Sequence, residues 1–423
     1  MGPQRTEFGF CRYRIRQQAG WRDVSDEPGR AAVAAIAAGL RETVVCDTGT
    51  VPLDAIDGRR LAEPVVASAP LPAHDYATMD GFAVATGDGL PLSIRGRDIG
   101  PDDDQSGHEP GTATPIATGA PLPRGADAVV PEEDARVVDG TLRGPRAGAG
   151  SHVIGRGSHV GAGETVLARG TVLSARNAAL LRDLGRERVV VERPLSVGVV
   201  ATGDEVAADV QPDRDSEAVA GLVRRWGHEA TIERPIPDDP AVLRERLAAL
   251  AADHDVLVTS GGTSVGSGDH TVDALADLGT VVQRGIALRP GRPVACVRLD
   301  EYDAVGVALP GKPVAAYVAT VAVVAPLVGG ERSHVWRTAT AACDLALPEA
   351  PIEYALPVVV EDGTAIPVGS PASDVSLYDD RYRPGRVAAC PRVLGADGIV
   401  FRTEPLAAGE RLRWTPFAAL EAL

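Results

Sequence analysis

Between residues 194 and 330 the chain alternates two hydrophobic patterns. Short, almost unbroken apolar runs occur at 197–201, 230–234, 255–259, 281–284, 294–298 and 304–309. Between them lie segments with apolar positions three and four apart, the spacing of one helix face. In 216–226, Val219, Leu222, Val223 and Trp226 share a face and Gly227 closes the helix. The next helix, 240–252, has Asp239 as its N-cap and Pro240 in its first position. A third spans 270–278, and a last one begins after Pro313. Strand–helix alternation with near-continuous apolar strands predicts a mostly parallel α/β sheet covered on both faces.

The flanks are patterned differently. Residues 27–40 are Ala-rich, with Ala32, Val33, Ile36 and Leu40 at helical spacing. Extended segments are expected at 50–53 and 61–68. From 83 to about 161, apolar pairs are broken by Gly, Pro and Asp, which suggests an inserted all-β module. Within it, 136–142 reads as a hairpin with Asp139-Gly140 as its type I′ turn. A helix at 173–185 ends at a glycine, and a strand follows at 188–192. Beyond 331 the helical signal fades into short strands bounded by Pro and Gly, a terminal β-barrel or sandwich.

Length and charge narrow the function. A chain of 423 residues predicts two to four units. A net charge of −16 argues against nucleic acid or an anionic membrane as partner, and favours a small-molecule substrate held in a local basic pocket. Of 42 basic residues, Lys312 is the sole lysine, a bias that resembles a salt-adapted proteome from a GC-rich genome. The five cysteines are widely separated, with no zinc-like spacing, which fits a reducing cytoplasm. No apolar run reaches membrane-spanning length and the first residues lack a signal-peptide core, so a soluble, cytoplasmic protein is expected.

Three apolar runs end in turns suited to ligand binding: ATGDE at 201–205, TSGGTSVGSGD at 259–269 and ALPGKP at 308–313. Glycines after a buried strand let backbone N–H groups approach an anion, and a following helix N-terminus adds its positive end. Each is also an ordinary turn when taken singly. Together they predict one pocket, because the carboxyl ends of strands in open α/β sheets line the ligand crevice. Its backbone would come from Gly261 and Gly262, with Ser264 beside them. Arg284, Arg289 and Arg292 surround a Pro-Gly turn and form a candidate oxyanion clamp. Asp80, Glu205, Asp238 and Asp269 are candidate carboxylates, which face phosphate through Mg²⁺ rather than directly.

Six motifs in order carry a resemblance: PAHDYATMDGFAV at 72–84, TGAPLPRGADAVVPEED at 118–134, VVATGDE, VTSGGTSVGSGD, LRPGRP and LPGKP. The chain resembles the molybdopterin molybdenumtransferases, the MoeA and gephyrin E-domain family, from about residue 28 onward. That resemblance implies insertion of molybdate into adenylylated molybdopterin with Mg²⁺ and release of AMP, the last step of molybdenum cofactor synthesis. A molybdopterin adenylyltransferase and a non-catalytic pterin-binding paralogue are the alternatives.

The implied organisation is an elongated dimerisation domain (1–84 and 161–193), an inserted β domain (85–160), an α/β domain resembling molybdopterin adenylyltransferases (194–330) and a C-terminal β-barrel (331–423). The resemblance makes Asp80, Glu205, Asp238 and Asp269 catalytic, with Glu205 and Asp269 on the metal. Thr118, Gly261, Gly262, Ser264, Arg284, Arg289, Arg292 and Lys312 would hold substrate. A homodimer is implied, with Asp80 and Thr118 reaching the pocket across the subunit interface, and a molybdopterin adenylyltransferase is an implied contact partner. The chain departs from the family pattern in having arginines where lysines are common. It also has Lys312 where LPGNP is usual, His159 where aspartate is frequent, and Asp215 in place of an asparagine after a short loop.

Overall fold

The computed structural model describes residues 27–144, 146–263, 270–329, 335–348 and 352–422. The chain divides into two compact units, one of residues 1–46 and 194–423, the other of 47–193.

The larger unit is built on a six-stranded sheet. Its spatial order is Glu229–Ile232, Ser196–Ala201, Val256–Ser260, Ala304–Leu309, Ala295–Leu299 and Thr280–Arg284. The first three ladders are parallel and the last two antiparallel, so an antiparallel edge completes the expected parallel sheet. Strand side chains alternate between faces. Val197, Val199, Val256 and Val258 enter one core with Val219, Val223 and Trp226. Val200 and Leu257 enter the other, with Leu243, Leu247 and Leu275. Both faces are thus covered, which is why these strands read as continuous apolar runs. Helix Pro240–Asp253 starts where the sequence placed it, with the Asp239 carboxylate accepting from the Ala241 and Val242 N–H groups.

Beyond this sheet, strand Glu353–Glu361 pairs with both Thr364–Pro367 and Gly398–Arg402. Arg337–Ala341 and Arg411–Pro416 complete the ring, so five strands close into a barrel. The two-residue strand Leu288–Arg289 pairs with Glu353 and Tyr354 and ties the arginine turn to the barrel.

In the smaller unit a six-stranded sheet runs Ala128–Pro131, Gly81–Val84, Thr112–Ile116, Leu92–Ile94, Thr141–Arg143, Arg136–Val138. Asp139 (φ 50°) and Gly140 (φ 68°) form the I′ turn of its hairpin. Thr48–Pro52 pairs antiparallel with Arg188–Glu192.

Two boundaries differ from the sequence expectation. Helix Arg30–Arg41, expected with the N-terminal domain, packs Val33, Ala37 and Leu40 into the core of the α/β unit. An expected boundary at 84/85 cuts the six-stranded sheet, because Gly81–Val84 is an inner strand there. Gly81 permits this pairing: a Cβ would sit 2.1 Å from the Val130 carbonyl oxygen. Among the described residues, no helix is long and apolar enough to cross a membrane.

Candidate active site

The adjacent parallel strands Ser196–Ala201, Val256–Ser260 and Ala304–Leu309 all deliver their turns at the same sheet edge. The chain leaves Ser196–Ala201 toward one side of the sheet, for Glu229–Ile232, and then returns to the other side for Val256–Ser260. That reversal leaves a crevice between the two strand ends. The turns are laced by backbone bonds: Thr202 N–H donates to the Ser260 carbonyl (2.8 Å) and Gly261 N–H to the Leu309 carbonyl (3.1 Å). Glycine is required where they meet. Gly261 has φ 101° and a Cβ there would lie 2.4 Å from the Thr202 carbonyl oxygen. A Cβ on Gly311 would lie 2.9 Å from the Gly261 Cα.

Above these turns is a cavity of about 590 Å³. It gathers Glu205, Asp238, Gly261, Gly262, Arg289, Arg292 and Lys312, residues spread over more than a hundred positions. Pro384, Gly385 and Ala388, from a short helix of the barrel region, form part of its wall. Arg284 is not among the lining residues. It ends the edge strand Thr280–Arg284, separated from Ala304–Leu309 by Ala295–Leu299, and is exposed. Of the three arginines expected together, the cavity thus gathers Arg289 and Arg292, with Lys312, and leaves Arg284 outside its lining. Ser264 and Asp269 lie outside the described residues.

The carboxylates of the cavity differ in environment. Asp238 N–H donates to Asp204 Oδ1 (3.0 Å), while Asp238 Oδ1 is buried without a hydrogen-bond partner. Burial, reinforced by the nearby Asp204 and Glu205 charges, raises the Asp238 pKa above the usual carboxylate range. Asp215 is only 7% exposed; its Oδ2 accepts from Ser260 Oγ (2.7 Å), and its Oδ1 has no partner. Burial raises its pKa too, with Asp213 adding to the shift and the Ser260 bond opposing it. Neither Ser260 nor Asp215 was predicted as a site residue. Ser260 is the last residue of a fully buried strand, and that position was the available signal.

The cations are not equivalent. Arg292 Nε donates to both carboxylate oxygens of Glu27, at 3.1 and 2.9 Å. Among the described residues no group of three or more His, Cys, Asp or Glu side chains could by itself hold a metal ion. Glu205 and Asp238 do supply hard oxygen donors to one wall, one of them unpartnered. Mg²⁺ commonly takes one or two carboxylates and completes its shell with water and phosphate oxygens, so these residues fit it.

Asp80 and Thr118 belong to the smaller unit, where they touch each other. Asp80 Oδ1 accepts from Thr118 N–H (2.6 Å) and Oγ1 (2.9 Å). Those two bonds, the backbone one first, hold the Asp80 pKa below its ordinary value.

Comparison with known proteins follows the same outline. Residues 30–185 match the family described as MoeA N-terminal region (domain I and II), and 198–329 match the probable molybdopterin binding domain. The molybdopterin molybdenumtransferase of Haemophilus influenzae is 33% identical over 284 residues, 64% of this chain and 69% of that protein. Molybdopterin molybdenumtransferase 2 of Mycobacterium tuberculosis is 31% identical over 362 residues, 78% of this chain and 87% of its own length. The crystal structure of a molybdopterin biosynthesis MoeA protein from Pyrococcus horikosii aligns over 93% of this chain and 99% of its own, with a TM-score of 0.66 and 25% identity. The chain belongs to the molybdopterin molybdenumtransferase (MoeA) family of transferases.

Proposed function

We propose that this chain inserts molybdate into adenylylated molybdopterin and releases AMP. The observation supporting this reading is one cavity lined by Glu205, Asp238, Arg289, Arg292 and Lys312 together with the glycine turns. A nucleotide-linked pyrophosphate and a tetrahedral oxyanion both need that combination of cations, backbone donors and carboxylates. Water attacks the adenylyl phosphorus, the bridging P–O bond breaks, AMP leaves with the incoming oxygen and molybdopterin keeps its phosphate. The dithiolene sulfurs displace oxo groups of molybdate, which leave as water with molybdenum still hexavalent. The chain's contribution is positioning and charge, with no side-chain nucleophile. Arg289 and Lys312 hold the oxyanion and phosphate oxygens, and the Gly261–Gly262 turn lets backbone approach them. Glu205 and Asp238 would hold Mg²⁺, which when bound supplies positive charge at the pyrophosphate. Asp269, which the motif resemblance assigns to the metal, belongs to the same proposal.

The proposal extends to assembly, substrate supply and location. The chain works as a homodimer, with the Asp80–Thr118 pair of one copy completing the cavity of the other. It takes its substrate from a molybdopterin adenylyltransferase, and it acts in the cytoplasm. Light scattering tests the dimer.

The test of function is AMP release from adenylylated molybdopterin, with Mg²⁺, in the presence and absence of molybdate. Molybdate-dependent release with formation of active cofactor is expected. ATP-dependent adenylylation of molybdopterin by this chain alone would assign it instead to the adenylyltransferases. Tight pterin binding without AMP release would make it a non-catalytic binder.

A further inference from the structure

The segment just before the first described helix reaches the arginine turn. Glu27 is buried, its side chain 1% exposed, and both its oxygens accept from Arg292 Nε across 265 positions of sequence. The carboxylate lies against Gly285, where a Cβ would stand 2.5 Å from Glu27 Oε1. Gly285, with φ 79°, therefore serves the strap as well as the turn. The next residue adds a backbone clasp, the Pro28 carbonyl accepting from Ala287 N–H (2.9 Å). Two residues further on, Arg30 Nε and Nη2 donate to Glu353 (2.8 and 3.2 Å), and the Glu353 N–H donates to the Ala287 carbonyl (3.0 Å). The turn carrying Arg289 and Arg292 is thus gripped from one side by the N-terminal strap and from the other by the barrel edge.

A buried carboxylate costs several kcal/mol of desolvation unless it is paired in good geometry. Packing alone gives no reason to place one here. Arg292 meanwhile lines the cavity with its side chain 19% exposed. A guanidinium fixed through Nε has its plane set in advance, as outer carboxylates fix the orientation of metal-binding histidines.

We propose that Glu27 is a positioning residue for the oxyanion site, acting through Arg292. It fixes the plane of the guanidinium where Arg292 lines the cavity, so that an anion bound there meets it without prior ordering. The inference rests on the proposed role of Arg292 in holding anion.

The experiment uses the full chain and molybdate alone as probe, with E27A, E27Q, R292A and the double variant E27A/R292A. Molybdate affinity is read by calorimetry, folding by thermal unfolding, and the KM for molybdate separately from kcat by AMP release. Outer-shell losses of about tenfold set the scale. E27A is expected to weaken molybdate binding about tenfold and to raise KM by a similar factor, with kcat nearly unchanged. E27Q keeps an acceptor oxygen opposite Nε and the same size, so it recovers most of the affinity while folding like the parent. The double variant should bind no worse than R292A alone.

Parent-like affinity in E27A overturns the inference, as do losses that multiply in the double variant. If E27A does not fold, an E27Q/R292A affinity below that of R292A overturns it equally. R292A binding molybdate like the parent would refute the role of Arg292 in the proposed function. A weakened R292A with an unchanged E27A would refute the strap alone.

Discussion

Replacing Gly261 by alanine probes the turn on which the cavity is built. At φ 101° any L-residue is strained, at about 1–2 kcal/mol. The new methyl would lie 2.4 Å from the Thr202 carbonyl oxygen, where contact is ordinary only from 3.4 Å, so Thr202 must retreat by about 1 Å. That retreat stretches the Thr202–Ser260 backbone bond, now 2.8 Å, and loses roughly another 1 kcal/mol. Together these give a destabilisation of about 2–3 kcal/mol. A displacement of about 1 Å beside reacting groups also costs on the order of a hundredfold in rate. Gly227→Ala is the control, because Gly227 has φ 82° but nothing within 4 Å of its would-be Cβ. It isolates the backbone cost, about 1–2 kcal/mol. Urea unfolding of both variants, with AMP release measured alongside, makes the comparison. If G261A loses no more stability than G227A and turns over normally, the glycine turns are ordinary turns and the close-approach argument is wrong.

Other perturbations report on individual groups. Burial holds Asp215 above the ordinary carboxylate range, so its ionisation opposes folding. That cost sets in as pH rises through the ordinary range and is complete above the raised value. D215N should therefore unfold at a higher temperature than the parent at neutral pH, by about 1 kcal/mol in stability, and lose the advantage in acid. Equal melting at all pH values would contradict this. Asp80 is the opposite case, since its lowered pKa stabilises the fold above the ordinary carboxylate range and the gain is lost as pH falls through the folded value. T118A removes the hydroxyl donor and leaves the backbone one, so the carboxyl carbon of Asp80 should titrate closer to the ordinary value by NMR; an unchanged midpoint would show the hydroxyl bond to be idle. R289A and K312A each remove a cation from the cavity wall and should weaken molybdate binding about tenfold or more, as loss of a charge-assisted hydrogen bond does. Calorimetry that finds both variants binding like the parent would exclude them as anion holders.

Much of the α/β unit could be read because its strands are covered on both faces and its helices carry local caps. Ala304–Leu309 and His270–Leu278 match the strand and the helix that the patterning predicts, and Asp239 caps helix Pro240–Asp253 from the position just before it. Local signals also mislead. Helix 173–185 shrinks to Asn177–Asp183, because Ser174 N–H and Oγ both bond Asn177 Oδ1 and keep the preceding residues in a turn. Of the extended stretch 61–68, only Val65–Val66 is a strand, paired with Thr165–Leu167.

The site was half legible. Strand ends announce where a crevice forms, since the glycines follow the apolar runs directly. Partners distant in sequence leave no such trace: nothing near Glu27 marks it as the companion of Arg292. Arg284 looked equivalent to Arg289 because they stand five apart in one basic run, but the edge strand carries it away from the cavity.

Anomalous diffraction from crystals soaked in molybdate would locate the metal without assumptions about mechanism. Bound molybdenum should appear within the cavity, its oxygens within hydrogen-bonding distance of Arg289 and Lys312 and on the side facing Glu205 and Asp238. Molybdenum bound elsewhere, with these side chains turned into separate regions of solvent, would contradict the idea that one glycine-floored cavity carries the chemistry.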